Sequence, residues 1–107
     1  MAKAKIGRGT TPTNIFLVPI DLRDVAVIYI TYNQGSKTLI EKTKEDIEIE
    51  EDKLSVWLTQ EETLMFSQKQ GTAQIEMQIR ARYPDGNAVE SEIMTASVGR
   101  ILKEGVI

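Results

Sequence analysis

The densest chemical potential in this chain lies in the carboxylates of Glu45, Asp46, Glu48, Glu50, Glu51 and Asp52. A calcium site would need oxygen ligands converging from a loop with a sharp glycine turn. Here Ile47 and Ile49 interleave with the acids, and no glycine interrupts the run. That pattern fits the solvated face of an edge strand, whose charges also discourage pairing with other chains. Paired carboxylates for glycoside hydrolysis can be drawn from many positions, but none sits in an identifiable motif. Neither a metal nor another cofactor is expected.

Histidine and cysteine are both absent. The missing histidine removes the usual general base near neutral pH, the commonest metal ligand, and the Ser-His and Cys-His nucleophile pairs. The missing cysteine excludes disulfides and thiolate metal sites. No catalytic residue can be named, and the chain is not expected to be an enzyme. Lys3, Lys5 and Arg8 are placed to touch phosphates, but three charges on a polar arm more often solubilise. A net charge of −3 counts further against a nucleic-acid partner. No apolar run approaches the ~20 residues that span a bilayer, so no membrane partner is expected. Basic residues at the start have no apolar stretch behind them, so a signal peptide is not expected and synthesis in the cytosol is.

With chemistry so thin, the elements carry the information. Thr72 to Tyr83 alternates without a break: Ala73, Ile75, Met77, Ile79, Ala81 and Tyr83 on one face, Gln74, Glu76, Gln78, Arg80 and Arg82 on the other. A period of two predicts a strand with one buried face. Residues 1 to 13 read as a flexible N-terminal arm, or one that orders on a neighbouring subunit. Residues 14 to 107 form a single domain. Asn14 to Val18 is a short first strand. Val25 to Tyr32, apolar on both faces, is either central or covered. Gln34-Gly35-Ser36-Lys37 has hairpin chemistry leading to a strand over Thr38 to Thr43. Two further strands carry Ile47 and Ile49, then Leu54, Val56 and Leu58. Thr59-Gln60-Glu61-Glu62 has capping-box spacing and opens one short helical segment near residues 60–66, ended by Gly71. Gly99 to Ile107 is a last strand or an ordered tail. Short strands at regular spacing predict an all-β fold, an immunoglobulin-like antiparallel β-sandwich, with a small barrel as the alternative.

Tyr83-Pro84-Asp85-Gly86-Asn87 fits a type I turn with Gly86 left-handed, which sets the hairpin register. Arg80 then faces Glu90, Ala81 faces Val89, Ile79 faces Ser91 and Met77 faces Ile93. Beyond Ile93 the pattern fails, because Met94, Ala96 and Val98 fall on the polar face. Either a bulge flips the register, or a partner covers an apolar outer face. Trp57 also points outward if Leu54, Val56 and Leu58 point in, and an exposed tryptophan is a natural interface anchor.

Leu58-Thr59-Gln60-Glu61-Glu62-Thr63-Leu64 with Phe66, Gln78-Ile79-Arg80, Asp85-Gly86, the ending Val98 to Ile107, and Gly7 to Thr13 together resemble small structural proteins encoded in prophages of Gram-positive bacteria. More loosely, the strand, short helix and hairpin plan is similar to the N-terminal domain of phage baseplate upper proteins. The resemblance implies a non-enzymatic bacteriophage structural or assembly protein of the tail or baseplate. Its partners would be other phage structural proteins and itself, as a homo-oligomer, and its location the virion, assembled in the host cytoplasm. No receptor-binding region is expected. The contact residues expected are Trp57, Met94, Ala96, Val98, Ile101 and Leu102. The alternative is a carbohydrate-binding module in which Trp57, Tyr29 and Tyr32 stack on sugars.

Overall fold

A computed structural model describes residues 5–68 and 73–107; Lys3, Gly71 and Thr72 lie outside them. The strands are β1 (Lys5–Gly7), β2 (Thr13–Leu17), β3 (Val27–Gln34), β4 (Lys37–Thr43), β5 (Ile47–Ile49), β6 (Lys53–Trp57), β7 (Gln74–Arg82), β8 (Ala88–Glu90) and β9 (Met94–Gly99). One short helix, α1 (Gln60–Leu64), and a 3-10 turn over Lys44–Asp46 complete the described elements. The larger sheet runs β1-β9-β7-β3-β4, with β8 beside β7, and the smaller runs β2-β6-β5.

This is a β-sandwich. Its strand order places β9, β7, β3 and β4 where an immunoglobulin variable-type domain has G, F, C and C′. β2, β6 and β5 take the places of B, E and D. The two-faced apolar strand β3 is central, paired antiparallel with β4 on one side and β7 on the other. One pairing departs from a wholly antiparallel sandwich. β1 lies parallel to β9, with Lys5 opposite Ser97 and Gly7 opposite Gly99. The chain leaves β1 by crossing to the other sheet, so no hairpin imposes an antiparallel neighbour. Gly99 permits the close approach: a Cβ there would stand 3.1 Å from the Gly7 Cα.

The core fills from alternating positions of both sheets. Ile28, Ile30 and Tyr32 of β3 and Ile75, Met77, Ile79 and Ala81 of β7 meet Phe16, Leu54, Val56 and Ile47 of the smaller sheet. Leu58 and Phe66 close one end, and the Phe66 ring centre lies 6.2 Å from that of Tyr32. The Tyr32 hydroxyl donates to Asn14 Oδ1 at 2.7 Å, a polar link between the two sheets on the inward face of β2. Burial pushes the Tyr32 phenol up, with the Glu62 charge adding to the shift.

Helix α1 starts as its spacing predicts. The Thr59 hydroxyl accepts from the Glu62 amide at 3.1 Å, and Glu62 Oε1 accepts from the Thr59 amide at 2.9 Å. Lys42 Nζ donates to the same carboxylate at 2.9 Å, tying α1 to β4 across the end of the sandwich. Partial burial pushes the Glu62 carboxyl up, but the Lys42 and Thr59 hydrogen bonds outweigh it and hold the group below its ordinary value. Thr63 is buried, its hydroxyl donating to the Thr10 carbonyl at 2.8 Å.

The expectation of a flexible arm over residues 1 to 13 fails from Lys5 onward. Ile6 is a core residue, and the Arg8 amide donates to the Gly99 carbonyl at 3.1 Å. The Arg8 guanidinium donates to the Phe66 carbonyl at 2.7 Å and pairs with Glu104 at 3.0 Å. A three-residue strand with one buried side chain is too short to show a period, which is why the segment reads as polar tail. This segment orders on its own domain. At the other end, residues after Gly99 form no strand; an ordered tail crosses α1, where the Ile107 amide donates to Gln60 Oε1 at 2.9 Å.

Candidate interaction surface

The return strand resolves the mismatch in the hairpin. Arg80 faces Glu90, Ala81 faces Val89, and Ser91 bonds to Ile79 as the turn geometry predicts. Further on, Met77 faces Met94 rather than Ile93. Glu92 and Ile93 therefore both stand against Gln78, which is a one-residue bulge. Ser91 closes it: its hydroxyl accepts from the Ile79 amide at 2.9 Å and donates to the Glu92 carbonyl at 2.8 Å. The bulge turns Ile93 outward, 58% exposed, and flips the rest of the strand inward.

This corrects the expected contact residues. Ala96 (1% exposed) and Val98 (6%) are core and offer no surface. Met94 is half-buried against the core edge. Ile101 is half-buried and Leu102 exposed, both in the tail beyond β9. Trp57 does face outward, 55% exposed, at the end of β6. These residues do not form one patch, because the bulge removes the centre of it.

The structure shows instead a pair of residues that sequence reasoning missed. Ile15 (58% exposed) and Leu17 (82%) lie on the outer face of β2, beside β6. Thr13 is paired with Trp57 and Ile15 with Ser55, so Ile15 is the diagonal neighbour of the indole. The outer face of the small sheet thus carries Ile15, Leu17 and Trp57 together. The signal was present as the run Ile15-Phe16-Leu17-Val18, apolar at both parities. Only one parity can face the core, and Phe16 takes it.

β2 is also an open sheet edge. The Val18 amide donates to the Asp52 carbonyl and the Leu58 amide to the Pro12 carbonyl, so even-numbered residues of this segment bond to β6. Antiparallel alternation then turns the N–H and C=O groups of Thr13, Ile15 and Leu17 away from the sheet. Among the described residues nothing pairs with them.

Two other surfaces are less telling. A groove of about 430 Å³ runs from Leu17, Pro19 and Ile20 to Val89 and Met94, alongside the bulge. A shallower depression on the larger sheet is lined by Tyr29, Glu41, Arg80 and Ile93. The aromatic residues of the sugar-binding alternative do not converge. Tyr32 is wholly buried, while Tyr29 and Trp57 stand on different sheets. The acidic residues Glu45 to Asp52 lie around the 3-10 turn and β5. There Asp46 caps the turn, held below the ordinary carboxylate range by the Thr43 amide that donates to it. Among the described residues no three acidic side chains group as metal ligands would.

The fold and surface together define an immunoglobulin-like sandwich whose β2 edge is uncharged and, among the described residues, unpaired. Compared with family models, curated proteins and solved structures, the chain matches none.

Proposed function

We propose that this protein is a non-enzymatic structural or assembly component of a bacteriophage or prophage virion, acting in the tail or baseplate through protein–protein contacts. The observation that carries the contact reading is the outer face of the small sheet, where Ile15, Leu17 and Trp57 expose apolar surface beside an unpaired strand edge. Exposed apolar groups clustered on one element mark association sites more often than isolated ones do. The assignment to phage assembly rests on the sequence resemblance alone. Partners are other virion proteins and further copies of this chain.

Light scattering at micromolar concentration, on the protein alone and mixed with the proteins encoded beside it, tests this reading. Assembly in either sample is the expected result. A monomer that binds none of its neighbours would overturn it.

A further inference from the structure

We propose that β2 pairs with the β2 strand of a second copy of this chain, antiparallel about a twofold axis at Ile15, joining the two small sheets into one continuous sheet. The inference rests on the protein-contact reading above and names the element that makes the contact.

Backbone chemistry selects this occupant. The outward groups belong to Thr13, Ile15 and Leu17, centred on Ile15. A twofold there sets Ile15 against Ile15 and Thr13 against Leu17 of the partner, so every outward donor meets an outward acceptor, on the order of six bonds in all. Sliding the partner in the other direction fails on Pro19, which occupies the next outward position and has no N–H. Side chains agree with the register. Thr13, Ile15 and Leu17 carry no charge, so a chain of net charge −3 meets its copy here without like charges opposed. Ile15 packs on Ile15, with Leu17 on either side and the two Trp57 rings at the far ends of the stripe.

The remaining edges are built differently. β1, β5 and β8 are three residues long, β5 carries Glu48 between Glu45, Asp46, Glu50, Glu51 and Asp52, and β8 carries Glu90. β4 carries Lys37, Glu41 and Lys42. Short or charged edges resist pairing, whereas an uncharged edge with exposed isoleucine and leucine promotes it. A five-residue strand gives a small interface, so the dimer is expected in the micromolar range.

The absence of native cysteine makes the test direct. In the paired register the two Ile15 Cα atoms stand about 5.5 Å apart, within disulfide reach, while the two Thr13 Cα atoms are separated by roughly 14 Å. Full-length Ile15→Cys is expected to form a disulfide dimer under mild oxidation, and Thr13→Cys to form it at least about ten-fold more slowly. Sedimentation of the wild-type chain should show a concentration-dependent dimer. Ile15→Lys, which sets two ammonium groups opposite one another, should weaken that dimer about ten-fold or more, with an unchanged melting temperature at concentrations where the wild type is monomeric. Equal cross-linking of both cysteine variants would overturn the proposal. If the wild type assembles and Ile15→Lys leaves it intact, the contact lies elsewhere: this inference fails and the broader reading stands. A wild-type monomer that still binds a neighbouring tail protein has the same meaning, whereas one that binds nothing sinks both.

Discussion

Replacing Tyr32 by phenylalanine isolates a hydroxyl that links the two sheets of the sandwich. The ring is wholly buried and keeps its contact with Phe66 in the variant, so packing is conserved and only the bond to Asn14 Oδ1 is lost. A bond of 2.7 Å to a half-buried amide contributes about 1–2 kcal/mol once the stranded acceptor is counted. With an unfolding entropy of about 2.1 cal/mol/K per residue, a chain of 107 residues changes by roughly 0.22 kcal/mol per degree. The expected fall in melting temperature is therefore about 4–9 °C. Urea and thermal denaturation followed by circular dichroism, with an unchanged urea slope, provide the measurement. Asn14→Leu alone should cost at least as much, because it leaves the tyrosine hydroxyl buried without a partner. The double variant, which removes both polar groups, should recover much of the loss. If the single losses simply add to within about 0.3 kcal/mol, the hydroxyl and the amide are not coupled. That result would refute the claim that this bond couples the two sheets.

Two further outcomes follow from the same geometry. Val98→Asp should lower stability by about 3 kcal/mol or more by burying a carboxylate without a partner, while Ile93→Asp should change it by less than about 0.5 kcal/mol. The reverse order in urea midpoints would place the bulge elsewhere. Glu62→Gln should cost about 1–2 kcal/mol at neutral pH, since it leaves the largely buried Lys42 ammonium unpaired. The Glu62 carboxyl is held below its ordinary value of 4.5, so its contribution is complete above that pH and is lost as pH falls through the folded value. The gap between wild type and variant should thus close below about pH 4.5 in urea titrations at successive pH values; a gap unchanged down to about pH 3 would show that the charge contributes nothing.

The legible parts of this fold are those in which local chemistry and tertiary environment agree. The alternation through Ile75, Met77, Ile79 and Ala81 reads as a one-sided strand because each buried position is two residues from the next. Gly86, with φ at +97°, sits where the turn requires a left-handed residue, and the Tyr83 amide bonds to the Asn87 carbonyl as that turn demands. The Thr59–Glu62 box is a contact between near neighbours, so its spacing alone reveals it. β1 has no such signature. Its place depends on Gly99, Phe66 and Glu104, all far away in the chain.

The interaction surface divides in the same way. Outward exposure of Trp57 follows from its neighbours Val56 and Leu58, and it was visible in the pattern. Ile15 and Leu17 were not, because their segment is apolar at both parities and its period is silent. The apparent apolar face over Met94 to Val98 was a consequence of counting through a bulge whose closing contacts, from Ser91 to Ile79 and Gln78, cross between strands.

By itself the sequence determined the strand pattern, the helix start, the hairpin turn and the lack of histidine and cysteine chemistry, because each is a property of residues close together or of composition. Tertiary structure alone decided which side of β2 faces in, that β1 joins β9, and that Ala96 and Val98 are core while Ile15 and Leu17 are surface. The reason is physical: a period of two says that a strand has two faces, but only the elements packed against it settle which face is buried and which edge is left unpaired.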